Sequence, residues 1–225
     1  MVHKLTWPNI SWGPGLFDLD NDGDLDLFFA NGHLNSVSGD NRQSNLLFEN
    51  NGNGIFKDIS SSSGILNTGK RIHRSSIFGD YDNDGKVDIY ITVNGQQIED
   101  GKGNTIFDQY QGKGILFKNL SSSDNNWIKI RLEGVNSNRD AFGTSVILHT
   151  NNISHKQSLI SGQGYFSNNA KELYFGLGDI EFIDEIEILW PSGLKQSFND
   201  VKTKQTIYIL EGEKIFENTL TLRNK

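Results

Sequence analysis

Hydrophobic and polar residues alternate with a period of two through much of the chain, in short runs cut by Gly, Asn and Pro. In "NWIKIRLEGV", Ile128, Ile130 and Leu132 fall on one face and Trp127, Lys129 and Arg131 on the other, as in a strand with one face in a core. "TSVILHT", "KELYFGLG", "DEIEILWPSG" and "QTIYILEG" continue in the same style, and together they predict a compact β-sandwich of roughly 90 residues. Upstream, "DLDLFF" and "VDIYITV" are short runs of β-branched and aromatic residues bounded by Gly and Asn, again strands. No long segment repeats its apolar positions every 3.6 residues, so the expected class is all-β.

The upstream strands belong to a repeat. "FDLDNDGDLDLFFANG" (17–32) returns as "GDYDNDGKVDIYITVNG" (79–95), with Asp18 aligned on Asp80, 62 positions later. Each copy is followed by a second related segment, "NLLFEN" (45–50) and "GILFKN" (114–119), which pairs Leu47, Phe48 and Asn50 with Leu116, Phe117 and Asn119. The second copy carries seven extra residues between loop and segment. After it, "NLSSSDNN" (119–126) is polar and serine-rich, with the character of a linker. The boundaries that follow are 1–123 for the repeats, 124–213 for the sandwich and 214–225 for a C-terminal tail.

The repeated loops carry the candidate chemistry. In the first, Asp18, Asp20, Asp22 and Asp26 occupy positions 1, 3, 5 and 9, Asp24 can offer its carbonyl at position 7, and Gly23 permits the sharp turn. The second offers Asp80, Asp82, Asp84 and Asp88, with Gly85 at the turn and the carbonyl of Lys86 at position 7. Hard oxygen donors without His or Cys favour Ca2+, one ion per loop and two in all. Packed carboxylates repel one another unless a cation offsets them. These are not EF-hands, because position 12 holds Phe29 or Ile91 in place of Glu and the flanks read as strands. Asp, Asn and Gly populate ordinary turns too. Two copies of D-x-D-N-D-G-x-x-D with matching flanks nevertheless point to ion binding.

Charge and composition narrow the partners. The net charge of −7, from 21 basic and 28 acidic residues, argues against nucleic acid and against a polybasic membrane contact. No apolar run approaches the roughly 20 residues of a spanning helix. With no cysteine, disulfides, thiol catalysis and zinc–thiolate sites are excluded. The five histidines are scattered without metal-ligand spacing; His73, beside Arg71 and Arg74, reads as a solvated turn or strand residue, and Trp190 of "WPSG" as a packed strand end.

The repeats resemble the FG-GAP/VCBS repeats of integrin-type β-propellers, most closely in "SIFGDYDNDGKVDIYIT"; the first copy departs from them where Leu16 and Phe17 precede the aspartate. The C-terminal part resembles the ASPIC/UnbV domain of cartilage-acidic-protein-like chains, through "NNWIKIRLEGVNSNRDAFGTSV", "FGLG" (175–178) and "WPSG" (190–193). The resemblance implies a partial β-propeller of about two blades followed by a β-sandwich-like domain. It also implies a calcium-binding, non-enzymatic binding or adhesion module that is extracellular, on the cell surface or periplasmic. Its partner would be a protein or a glycan. Since propellers close with about four to eight blades, the remaining blades are expected in cis from a longer chain or in trans from another. The alternative from another class is a propeller-based hydrolase or lyase acting on polysaccharide. It calls for a convergent acid/base pair outside the loops, which the sequence does not display.

Overall fold

The computed structural model describes residues 2–34, 41–95, 97–99, 105–107, 112–151, 153–213 and 215–217. It is nearly all-β, with 3% helix and 47% strand, and no barrel closes among the described residues. One short helix, α1 (Val2–Thr6), precedes the first sheet.

The first repeat is a four-stranded antiparallel meander of β1 (Ser11–Phe17), β2 (Asp26–Asn31), β3 (Leu46–Asn50) and β4 (Phe56–Asp58) in that order. In the second, β5 (Ile72–Gly79) and β6 (Asp88–Asn94) pair antiparallel, and a separate hairpin of β7 (Gln97–Glu99) and β8 (Thr105–Phe107) intervenes before β9 (Ile115–Phe117) returns to β6. The hairpin occupies the region of the seven extra residues. Each repeat is thus one blade, and an aspartate loop connects its first two strands.

The blades share one apolar core built from Phe17, Phe28, Ala30, Leu47, Phe78, Val87, Ile89 and Ile91. Missing side chains at Gly13 in β1 and Gly32 just after β2 let the first blade press against β5. A Cβ on Gly13 would sit 2.6 Å from the Ser76 nitrogen, and one on Gly32 would sit 2.7 Å from that of His73. His73 is consequently buried, not solvated as its neighbours suggested: its Nδ1 is 2.9 Å from the Asn31 carbonyl oxygen. Burial lowers its pKa to about 4.

The remaining strands form a two-sheet sandwich: β10 (Asn126–Glu133), β11 (Ser145–Thr150), β12 (Ile153–Ser158), β13 (Leu173–Gly178), β14 (Phe182–Leu189), β15 (Lys195–Lys202), β16 (Gln205–Leu210) and β17 (Ile215–Glu217). One sheet runs β13-β10-β16-β17 and the other β12-β11-β14-β15. All pairs are antiparallel except β10 with β16. The alternating residues meet inside: Ile128, Ile130, Val146, Leu148, Phe175, Ile186, Ile188, Trp190 and Ile207 are all essentially inaccessible. Trp190 is the packed strand end its sequence suggested. A polar staple closes one end, where the buried Glu211 accepts N–H groups from Val135, Asn136 and Ser137, each at 2.7 Å. Burial opposes ionisation there, but those donors and two serine hydroxyls outweigh it and hold the carboxyl at about 2.

Candidate metal centre

The two aspartate loops are built bond for bond alike. In the first, Asp18 accepts the N–H groups of Asp22 at 3.2 Å and Gly23 at 2.9 Å; in the second, Asp80 accepts those of Asp84 and Gly85, both at 3.0 Å. Asn21 and Asn83 both stand at φ 61°, and Gly23 and Gly85 at 97° and 86°, the left-handed steps that turn each loop back on its first carboxylate. The position-9 carboxylate ties the loop to the blade. Asp26 accepts N–H from Leu19 at 2.7 Å and Asn50 at 2.8 Å, and Asp88 from Tyr81 at 3.0 Å and Asn119 at 2.8 Å. This explains the matched asparagines, whose side-chain amides also bond the carbonyls of Leu25 and Val87.

Asp18, Asp20 and Asp22 each place one carboxylate oxygen within 4.8 Å of the others, and so do Asp80, Asp82 and Asp88. Oxygens about 2.3–2.6 Å from a shared Ca2+ lie at most about 5 Å apart, so both groups have the reach of a calcium shell. The other predicted ligands lie differently. Asp26 is held by backbone donors, Asp24 has an oxygen against Gly52, and Asp84 caps the Lys86 N–H at 3.0 Å while its other oxygen is 3.4 Å from the Lys118 Nζ.

Electrostatics separate the loops. Burial, with the charges of Asp22, Asp26 and Asp20 behind it, pushes Asp18 up to about 7 despite the Gly23 N–H. Burial also takes Asp26 to about 7 and raises Asp20 and Asp22. The first loop is therefore a dense set of hard donors, and among the described residues no lysine or arginine forms an ion pair with its aspartates. In the second loop, Lys118 bonds Asp82 and holds that carboxyl below its ordinary range. Lys129 reaches in from β10, with its Nζ 2.9 Å from Asp80 and 2.8 Å from the Asn83 side-chain oxygen.

Both loops lie at the junction with the sandwich. Asn21 donates to the Gly85 carbonyl at 3.1 Å, and the Gly178 N–H returns from the sandwich to the Asn21 carbonyl at 2.9 Å. Gly176 passes so close that a Cβ there would fall 2.0 Å from Asp18 Oδ2, and one on Gly85 would fall 1.9 Å from the Trp127 ring. The Asp80 N–H donates to the Tyr174 hydroxyl at 3.1 Å, which in turn bonds Glu172. The face of β10 carrying Trp127, Lys129 and Arg131 therefore looks onto the blades. Sequence reasoning missed Lys129 because alternation marks a second face without saying what covers it.

Known proteins match along the same division. The FG-GAP-like repeat pattern matches residues 18–91, both loops included, and the ASPIC and UnbV pattern matches residues 134–215. Residues 18–91 are thus similar to an FG-GAP-like repeat and residues 134–215 to an ASPIC and UnbV domain. Cartilage acidic protein 1 of Homo sapiens is 24% identical over 183 residues, 81% of this chain and 25% of the human protein. The Mus musculus protein of that name is 24% identical over 195 residues, 86% and 27% of the respective chains. The chain thus spans about a quarter of these relatives. Lys118 and Lys129 fall between the two matched segments. No helix among the described residues is long and apolar enough to cross a membrane.

Proposed function

We propose that this FG-GAP and ASPIC/UnbV chain is a calcium-stabilised, non-enzymatic module of extracellular type, whose ions fix the blade loops on which the sandwich sits. The observation that carries the reading is the first loop: Asp18, Asp20 and Asp22 converge through hard oxygens, and among the described residues the buried Asp18 has no ion-pair partner. A bound Ca2+ would supply that charge, while the backbone N–H groups of Asp22 and Gly23 orient Asp18. Loops of this kind suit the millimolar calcium found outside cells. A binding role fits better than catalysis because backbone donors and lysines already engage the most conspicuous carboxylates. The partner would be a protein or glycan met by the exposed blade and sandwich surfaces.

Thermal melting in EDTA, calcium and magnesium, with calorimetric titration, tests the calcium reading. For Kd near 0.1–1 mM, 10 mM calcium adds about 1.4–2.7 kcal/mol per site, and each kcal/mol moves Tm by about 2–4 °C. Magnesium does less, because it holds its waters and prefers a tighter octahedral shell. Superimposable melts with no heat of binding would mark the loops as ordinary acidic turns.

A further inference from the structure

The two loops match in backbone but not in the residue that overhangs them. Phe48 pairs with Leu27, directly after Asp26, and Phe117 pairs with Ile89, directly after Asp88. The next residues, Glu49 and Lys118, therefore stand at equivalent places beside their loops. One is an acid and the other a base. Lys118 bonds Asp82 and lies 3.4 Å from Asp84 Oδ2. Among the described residues, Glu49 has one ion pair, an exposed one with Lys57 at 3.2 Å.

A second cation acts in the second loop alone. The Lys129 ammonium, with no exposed surface, bonds Asp80 and Asn83, whereas Gly176 brings only backbone to Asp18. Counted formally, the first loop has five aspartates, or −5, its Glu49 being offset by Lys57, and the second has four aspartates less Lys118 and Lys129, or −2.

Resting on the calcium reading above, we propose that the two sites are unequal by construction: the first loop is the divalent-cation site, and the second is held largely by the protein's own lysines. Lys118 and Glu49 set the rank order. A divalent ion some 6 Å from a unit charge in near-aqueous surroundings feels it as about a tenfold change in affinity, and ligand charge is a main determinant of calcium affinity in such loops. Reversing the charge at either position should therefore move Kd by about 10- to 100-fold. The second blade then keeps its loop closed when calcium is scarce, while the first responds to the ion.

Calorimetric titration of calcium into the full chain tests this, with Asp22→Asn and Asp82→Asn assigning each event to a loop. Two sites separated by at least about tenfold are expected, the tighter one lost in Asp22→Asn. Lys118→Glu should tighten the weaker site and leave the other unchanged, and Glu49→Lys should weaken the tighter one. Lys118→Met, which removes the charge without reversing it, should give an intermediate gain. Lys118 is partly exposed, so these variants keep the fold, as circular dichroism can verify. Equal Kd values, or Lys118 and Glu49 variants that leave both unchanged, overturn the inequality while leaving the calcium reading intact. No binding at either loop removes both.

Discussion

Lys129→Met removes one charge from the junction and little volume, so it isolates what that ammonium does. Lys129 and Asp80 have no exposed side-chain surface and meet at 2.9 Å, and among the described residues this lysine is the carboxylate's ion-pair partner. Removing one member of a buried pair costs about 3–5 kcal/mol, because the other charge stays desolvated. Asp80 keeps the N–H groups of Asp84 and Gly85, which places the expected loss near the lower end, about 3 kcal/mol. For a chain of this size that is a fall in Tm of about 6–12 °C, read by calorimetry in EDTA. Calcium should then recover part of it. An ion in the second loop supplies the missing positive charge, so the calcium-dependent rise in Tm should be larger in the variant than in the parent. A variant melting within about 2 °C of the parent in EDTA would refute the argument that Lys129 is the loop's built-in counter-ion.

The first loop should make calcium stabilisation pH-dependent. Without the ion, Asp18 has a folded pKa of about 7 against 3.8 when exposed. The folded state then binds the proton more tightly, so its contribution is present below about pH 4 and lost as pH rises towards 7. His73 works the other way, since its folded pKa near 4 lowers stability as pH falls below 6.5. Its contribution is common to both conditions, so the gap between calcium and EDTA melts should widen from pH 5 to pH 8, by up to about 3 kcal/mol from Asp18; a constant gap would refute this. Gly176→Ala should cost about 1–3 kcal/mol by forcing the sandwich off Asp18 and Asn21, and an unchanged Tm would show that the two halves do not dock as described.

How much of this was legible in the sequence depended on whether a residue's role was local. The aspartate loops were visible as a repeat, because Asp-rich turns with Gly at the sixth position set several carboxylates side by side. The matching of Asn50 with Asn119 was visible as an identity, but its meaning needed the fold, since both act mainly through backbone N–H groups on Asp26 and Asp88. The sandwich strands were plain from alternation alone. Their outward face was not, because alternation put Lys129 on that face without saying that the blades cover it. His73 misled for a related reason. Polar neighbours in "RIHRSS" suggested exposure, whereas Gly13 and Gly32 on the facing blade leave the room that buries it. The exchange of Glu49 for Lys118 lay in full view as "FEN" against "FKN", but only the register across β2 and β6 sets the two residues beside their loops.

The serine-rich stretch between the halves ties them together. Its composition reads as flexible linker, yet the Asn119 amide donates to the Leu19 carbonyl at 2.7 Å, the Ser121 hydroxyl to the same oxygen at 3.3 Å, and the Asn125 amide to the Asp20 carbonyl at 3.1 Å. The segment that leaves the second blade is therefore fastened to the backbone of the first loop before it enters β10. Short polar side chains suit this task, because they can satisfy loop carbonyls that have no strand partner. Whatever orders the first loop also orders the path into the sandwich, and Gly176 and Gly178 close the same loop from the other side. Coupling of this kind is reciprocal. If an ion at Asp18, Asp20 and Asp22 tightens the seat of the sandwich, the seated sandwich must tighten the ion by the same factor, and the junction rather than either half is the unit on which calcium acts.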